Sequence, residues 1–123
     1  MIENQTFEKI DFTTTPLKVD EYDNCTFVDC NFENQNFGNF TFVDTDFIDC
    51  NLSLTKVAYT AFKTVQFNNC KLLGVDFSEC NTFLLNINFD SCLMNLTSFY
   101  QLKFKKKHLQ IVVYMKQTLQ KQT

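Results

Sequence analysis

The chain has no tryptophan, two glycines, one proline and one histidine in 123 residues, and no arginine at all. Each shortage narrows the choices. The lone histidine, His108, is the only imidazole that could serve as a base beside a Cys or Ser nucleophile, so catalysis of the Cys-His type is not expected. Glycines this few cannot form a phosphate-cradling loop, and no basic stretch beyond Lys105 to Lys107 is available for nucleic acid. The start, Met1 to Gln5, lacks a basic region followed by an apolar run. Nowhere does the chain approach the roughly 18 apolar residues a membrane helix requires. The expectation is a cytoplasmic chain with no membrane contact, whose six cysteines stay reduced thiols.

What the chain has is phenylalanine, fifteen of them, and they recur at a fixed step. After Phe7 and Phe12, an unbroken series at steps of five runs Tyr22, Phe27, Phe32, Phe37, Phe42, Phe47, Leu52, Val57, Phe62, Phe67, Leu72, Phe77. It resumes at Phe89, Met94, Phe99 and Phe104, so a two-residue insertion falls within Thr82 to Leu85, and only Phe40 and Phe83 lie outside the central slot. A helix would spread such a series around its circumference, and a flat strand would send alternate members to opposite faces. A chain that turns a corner every five residues buries them all, as a solenoid does.

The residue two before each centre should also point inward. Small side chains fill that slot: Cys25, Cys30, Thr45, Cys50, Thr55, Thr60, Val65, Cys70, Val75, Cys92, Thr97. Cys30, Cys50 and Cys70 are twenty apart and Cys92 follows after twenty plus the two inserted residues, which predicts a four-sided coil with these thiols in one ladder. A straight ladder does not converge tetrahedrally on zinc, so neither metal nor cofactor is expected.

The units Cys30-Asn31-Phe32-Glu33-Asn34, Thr45-Asp46-Phe47-Ile48-Asp49, Cys50-Asn51-Leu52-Ser53-Leu54 and Val75-Asp76-Phe77-Ser78-Glu79 resemble the pentapeptide-repeat family over residues 22–104. The resemblance implies an all-β, right-handed quadrilateral β-helix, here of four to five coils. It also implies kinship with bacterial proteins that protect DNA gyrase by imitating duplex DNA. Residues 1–21 read as a lead-in with partial repeats and a loop, 22–104 as the solenoid, and 105–123 as a non-repeat tail. Two readings of the tail stay open. Restoring one A base in the lysine codons at 105–107 returns Gln110 to Leu119 to repeat-like residues, which makes 108–123 an out-of-frame end of a longer solenoid. Alternatively, Gln110 to Lys121 is an amphipathic capping helix with Ile111, Tyr114, Met115 and Leu119 on one face.

All fourteen acidic residues lie in 1–102, against five lysines there, a net of −9. Asp29, Glu33, Asp44, Asp46 and Asp49 form the candidate acidic interaction face, because no lysine occurs between 18 and 56. The functional expectation is a non-catalytic protein-interaction scaffold with an unidentified protein partner and no direct contact with nucleic acid. The alternative is a DNA-mimicking protector or inhibitor of DNA gyrase or topoisomerase. A homodimer through the end carrying Phe99 and Phe104 is a further expectation.

Overall fold

The computed structural model describes residues 1–100, 102 and 110–114. Every regular element among them is a strand: β1 (Ile2–Glu3), β2 (Thr6–Glu8), β3 (Glu21–Asp23), β4 (Thr26–Val28), β5 (Thr41–Ile48), β6 (Ala61–Asn68), β7 (Asn81–Asp90) and β8 (Gln110–Tyr114). All pair in parallel, in the order β1-β3-β5-β6-β7-β8, with β2 on β4 and β4 on β5. Parallel neighbours require a crossover, and here the crossover is the rest of the coil. Tyr22 pairs with Phe42 and Phe42 with Phe62, an offset of 20, so each coil holds four units of five residues. The chain is thus the expected β-solenoid, of about five turns.

Four faces follow from the register. The first is centred on Tyr22, Phe42 and Phe62, and the second on Phe27, Phe47, Phe67 and Phe89. The third is centred on Phe32, Leu52, Leu72 and Met94, and the fourth on Phe37, Val57, Phe77 and Phe99. The first two faces merge into the long strands β5, β6 and β7, whereas the other two are built of turns joined by single bridges such as Asn31 to Asn51 and Asn36 to Lys56. Ile2 pairs with Tyr22, and Leu17 packs half-buried against the core, so the five-residue series also includes these two residues.

Aromatic stacking holds the coils in register. Along the second face, ring centroids lie 4.7 Å apart for Phe7 and Phe27, 5.0 Å for Phe27 and Phe47, 5.0 Å for Phe47 and Phe67, and 5.2 Å for Phe67 and Phe89, with planes within 14°. Between faces the rings meet edge-on, as Phe27 and Phe32 do at 5.4 Å and 75°. Near-parallel stacks within columns and edge contacts between them both suit the ring quadrupole. Phe40 is buried in a slot that most often takes a small residue. It has room because its column neighbours are Asp20, which turns out to the Met1 amine, and the small Thr60.

The corners explain the scarcity of glycine. Two residues after most centres the backbone enters the left-handed region, and fourteen of those residues are not glycine; eight of the fourteen are Asn or Asp. These are the side chains that tolerate this conformation best after glycine. Leu54, Tyr59 and the β-branched Thr64 hold the same conformation at greater cost. Gly74 holds this conformation without strain, and a Cβ there would lie 2.9 Å from Leu54 Cδ2, the free end of an exposed side chain that would have to turn aside.

The slot residues are chosen for a donor as well as for size. Thr55 Oγ1 donates to Phe32 O at 2.6 Å, Thr60 Oγ1 to Phe37 O at 2.6 Å and Thr45 Oγ1 to Tyr22 O at 3.2 Å, each 23 residues back. Thiols do the same more weakly: Cys50 Sγ lies 3.3 Å from Phe27 O and Cys70 Sγ 3.2 Å from Phe47 O. Each donor satisfies a carbonyl of the preceding coil. No buried side-chain N or O atom is left unpaired among the described residues.

Between β6 and β7 the register changes: Ala61 pairs with Asn81, an offset of 20, and Val65 with Ile87, an offset of 22. The extra length bulges at Thr82 to Leu85. Leu85 turns into the core while Phe83 is 61% exposed, with Lys63 Nζ 5.6 Å from its ring centroid. In the tail, Gln110–Tyr114 is a strand parallel to β7, which corrects the helical reading for those five residues. The run Ile111-Val112-Val113-Tyr114 is β-branched and aromatic, so strand propensity and a free sheet edge outweigh the helical period. The rest of the proposed helix, 115–121, lies outside the described residues, as do 103–109 with Phe104, Lys105 to Lys107 and His108.

Phe47→Ala should destabilise the protein by about 3–5 kcal/mol, the cost of a cavity in a close-packed aromatic column. Thr64→Asn should stabilise it by up to about 1 kcal/mol by relieving a β-branched residue at positive φ. Urea denaturation of both variants measures the two effects, and opposite signs are expected.

Candidate functional site

With four faces defined, the charges can be sorted by position within the coil. The first face carries Glu3, Asp20, Glu21, Asp23 and Asp44, and the second carries Glu8, Asp29, Asp46, Asp49 and Asp90. Among the described residues only Lys9 and Lys63 accompany these ten carboxylates, which leaves a net of −8 on two adjoining faces. The third and fourth faces hold Asp11, Glu33, Asp76 and Glu79 against Lys18, Lys56 and Lys71. The asymmetry is one of position around the coil.

Asp29, Asp44, Asp46 and Asp49 are all exposed and belong to this acidic wall; Glu33, also exposed, lies around the corner on the third face. Glu3, Glu8 and Asp90 extend the wall at its two ends and were not singled out from the sequence. Reading each acidic position against a coil length of twenty finds them. Asp29 and Asp49 sit at left-handed corners one above the other, where Asn69 Nδ2 donates to Asp49 Oδ1 at 2.7 Å. Among the described residues, the only ion pair on the wall joins the Met1 amino group to Asp20 at 3.1 Å. The other carboxylates therefore face solvent uncompensated.

Asp46 and Asp44 border a hollow of about 240 Å³ completed by Thr64, Val65, Gln66 and Asn88. Desolvation there pushes the Asp46 carboxyl above its ordinary range. A larger hollow of about 410 Å³ lies between the third and fourth faces, lined by Lys56, Asp76, Glu79 and the backbone around Gly74. Lys56 Nζ there donates to Asn34 Oδ1 at 2.9 Å. It gathers no nucleophile with a base.

The core ladders are structural neighbours of the wall. Phe27, Phe32, Phe37, Phe42, Phe47, Leu52, Phe62, Phe67, Leu72, Phe77 and Phe89 are buried, and Met94 and Phe99 are half-buried against them. Phe104 lies outside the described residues. Cys30, Cys50 and Cys70 are buried and Cys92 is half-buried, all as free thiols. Burial pushes Cys30 up, and pushes Cys80 up to about 11. Among the described residues no group of three or more His, Cys, Asp or Glu is placed to hold a metal ion.

A parallel β-solenoid with five-residue units, an aromatic centre and a small donor two residues before it defines a class of repeat protein. The chain belongs to the pentapeptide-repeat family: the model for a pentapeptide repeat region matches residues 20–99. Among solved structures it is similar to full-length QnrB1, a plasmid-mediated fluoroquinolone resistance protein, at 13% identity and a TM-score of 0.49, over 80% of this chain and 70% of that one. Two trypsin-treated variants of QnrB1 match at 15% identity, TM-score 0.46, over 93% of this chain and 71% of that one, and at 12%, 0.39, 77% and 56%. The chain thus spans only 56% of the last of these. No curated protein is significantly similar in sequence.

Asp46→Asn should raise the denaturation midpoint at pH 7. The folded protein opposes ionisation of Asp46, so its charge weakens stability as pH rises through its titration, and the amide removes that penalty. The difference from wild type should shrink to nothing below about pH 3, where both side chains are neutral. Urea titrations at both pH values measure it.

Proposed function

We propose that this pentapeptide-repeat protein is a non-catalytic interaction scaffold of the cytoplasm whose acidic wall docks a basic surface on a protein partner. One observation carries the reading: among the described residues ten carboxylates gather on two adjoining faces with two lysines, while the opposite faces are nearly balanced. The left-handed corners at Asp29, Asp44 and Asp49 take Asn as readily as Asp, so the fold itself calls for no charge there, and acid needed only for solubility could be distributed evenly. The raised pKa of Asp46 adds that a charge is kept there against a stability cost.

The acidic wall also supports the narrower reading of a DNA mimic acting on gyrase or topoisomerase. Five coils at about 4.8 Å each spread ten carboxylates along roughly 24 Å, a charge about every 2.4 Å. Duplex DNA carries one about every 1.7 Å. The two densities are close enough for one basic groove to accept either. A second copy is the remaining partner in this reading, because Leu93, Leu96 and Tyr100 are exposed at the carboxy-terminal end of the described stack.

The folded protein should inhibit gyrase supercoiling or protect it from a fluoroquinolone, with the effect lost in the Asp44→Asn, Asp46→Asn, Asp49→Asn triple variant and at high salt. No effect from folded protein sinks the mimic. The scaffold itself fails if proteins retained by the wild type are retained equally by the triple variant. Light scattering should give a dimer or larger species, and a monodisperse monomer overturns the self-association.

A further inference from the structure

The four-cysteine ladder is chemically richer than a packing device needs to be. Thr45, Thr55 and Thr60 fill equivalent slots and make the same hydrogen bond to a carbonyl of the preceding coil. Threonine would therefore have served at positions 70 and 92, yet both are cysteine. Lys71 bridges Leu93 in parallel, and Leu93 N donates to Cys70 O at 2.9 Å, so Cys70 and Cys92 are stacked neighbours in consecutive coils. Their sulfurs occupy matching positions. Cys70 Sγ is 3.2 Å from Phe47 O and 3.4 Å from Asn68 O, and Cys92 Sγ is 3.4 Å from Phe67 O and 3.5 Å from Asp90 O.

We propose that Cys92 and Cys70 form a hydroperoxide-responsive thiol pair, Cys92 the attacking sulfur and Cys70 the resolving one, that closes a reversible disulfide between consecutive coils. Access selects the pair. Cys30, Cys50 and Cys70 are buried, and Cys92 is the half-buried end of the ladder. Cys25 and Cys80 have Thr45 and Thr60 rather than a cysteine as the next residue in their columns.

The electronic arrangement matches these roles. The Cys70 thiol stacked beside it draws Cys92 down to about 7, which favours a thiolate at the accessible position. The neighbouring Cys50 and Cys92 sulfurs, and then burial, push Cys70 up, so it remains a thiol. The Cys92 thiolate attacks one oxygen of the hydroperoxide, breaking the O–O bond. It becomes a sulfenic acid, while the other oxygen leaves as hydroxide or alkoxide and is protonated by water. Cys70 sulfur then attacks Cys92 sulfur; the S–S bond forms and the sulfenic oxygen departs as water, taking the thiol proton. The peroxide accepts the two electrons lost by the two thiols, and an external dithiol returns them.

Adjacent coils put the two Cα atoms about 4.8 Å apart, inside the roughly 4.4–6.8 Å window for a disulfide. The side chains run parallel, so the Cβ atoms must close somewhat, and the resulting strain makes the bond easy to reduce. The exchange should therefore be reversible.

The experiment treats the reduced full chain with a few equivalents of hydrogen peroxide, alkylates the remaining thiols, and digests at lysine and aspartate without reduction. This digestion places Cys70 and Cys92 on peptides that contain no other cysteine. The expected result is four alkylated cysteines rather than six, a Cys70–Cys92 cross-link within one chain, and recovery of six thiols with dithiothreitol. Six alkylated cysteines, a link only between chains, or a sulfinic Cys92 without a link overturns the proposal. Cys70→Thr, which keeps the donor, should increase dimedone capture of the Cys92 sulfenic acid several-fold; unchanged capture overturns the resolving role. Should that variant fail to fold, the wild-type peptide map decides alone.

Discussion

Face-to-face contact between aromatic rings one coil apart is the interaction on which the rest of this structure depends. Rings stacked at 4.7–5.2 Å from Phe7 through Phe89 match the spacing of hydrogen-bonded parallel strands. The core and the backbone ladder thereby demand the same repeat distance. Any insertion must be expelled from the register rather than absorbed by it, which is what Thr82 to Leu85 does by throwing Phe83 outward while Leu85 stays in.

Two further requirements follow from winding a chain this tightly. Corners must come every five residues, and Asn and Asp supply most of the positive φ values that would otherwise call for glycine. The inward slot is mostly small, and where Thr or Cys fills it the side chain donates to a carbonyl of the coil before it. Core volume, corner chemistry and backbone satisfaction therefore each constrain a different position of the five-residue unit. Such agreement between levels is what lets a repeat specify one fold.

The charge of the outward positions is left free by all of this, and there the chain has accumulated acid on one side. The left-handed corners at Asp29, Asp44 and Asp49 favour Asn or Asp but call for no charge, and the protein keeps a carboxylate at Asp46 where desolvation opposes it. The same freedom extends to the end of the thiol ladder. Cys92 keeps the packing role of the buried cysteines below it but meets solvent, so a core residue there acquires chemistry.

Period, inward slot and coil length were legible in the sequence because each depends on side chains repeated many times in register. Cys30, Cys50 and Cys70 announce a coil of twenty, while the phenylalanines announce the step of five. The acidic face was legible only in part. Asp29, Asp44, Asp46 and Asp49 were found from a gap in lysine, whereas Glu33 proved to sit around the corner and Glu8 and Asp90 to belong to the wall. Residues distant in sequence share a face only through the coil offset. The strand at Gln110–Tyr114 was likewise decided outside its own sequence, whose apolar spacing also fits a helix, by the free edge of β7. Sequence alone determined the repeat, since burying a phenylalanine every fifth residue has one economical solution. Tertiary structure alone decided which charges and which thiols become neighbours, since that depends on how many residues each coil takes to return.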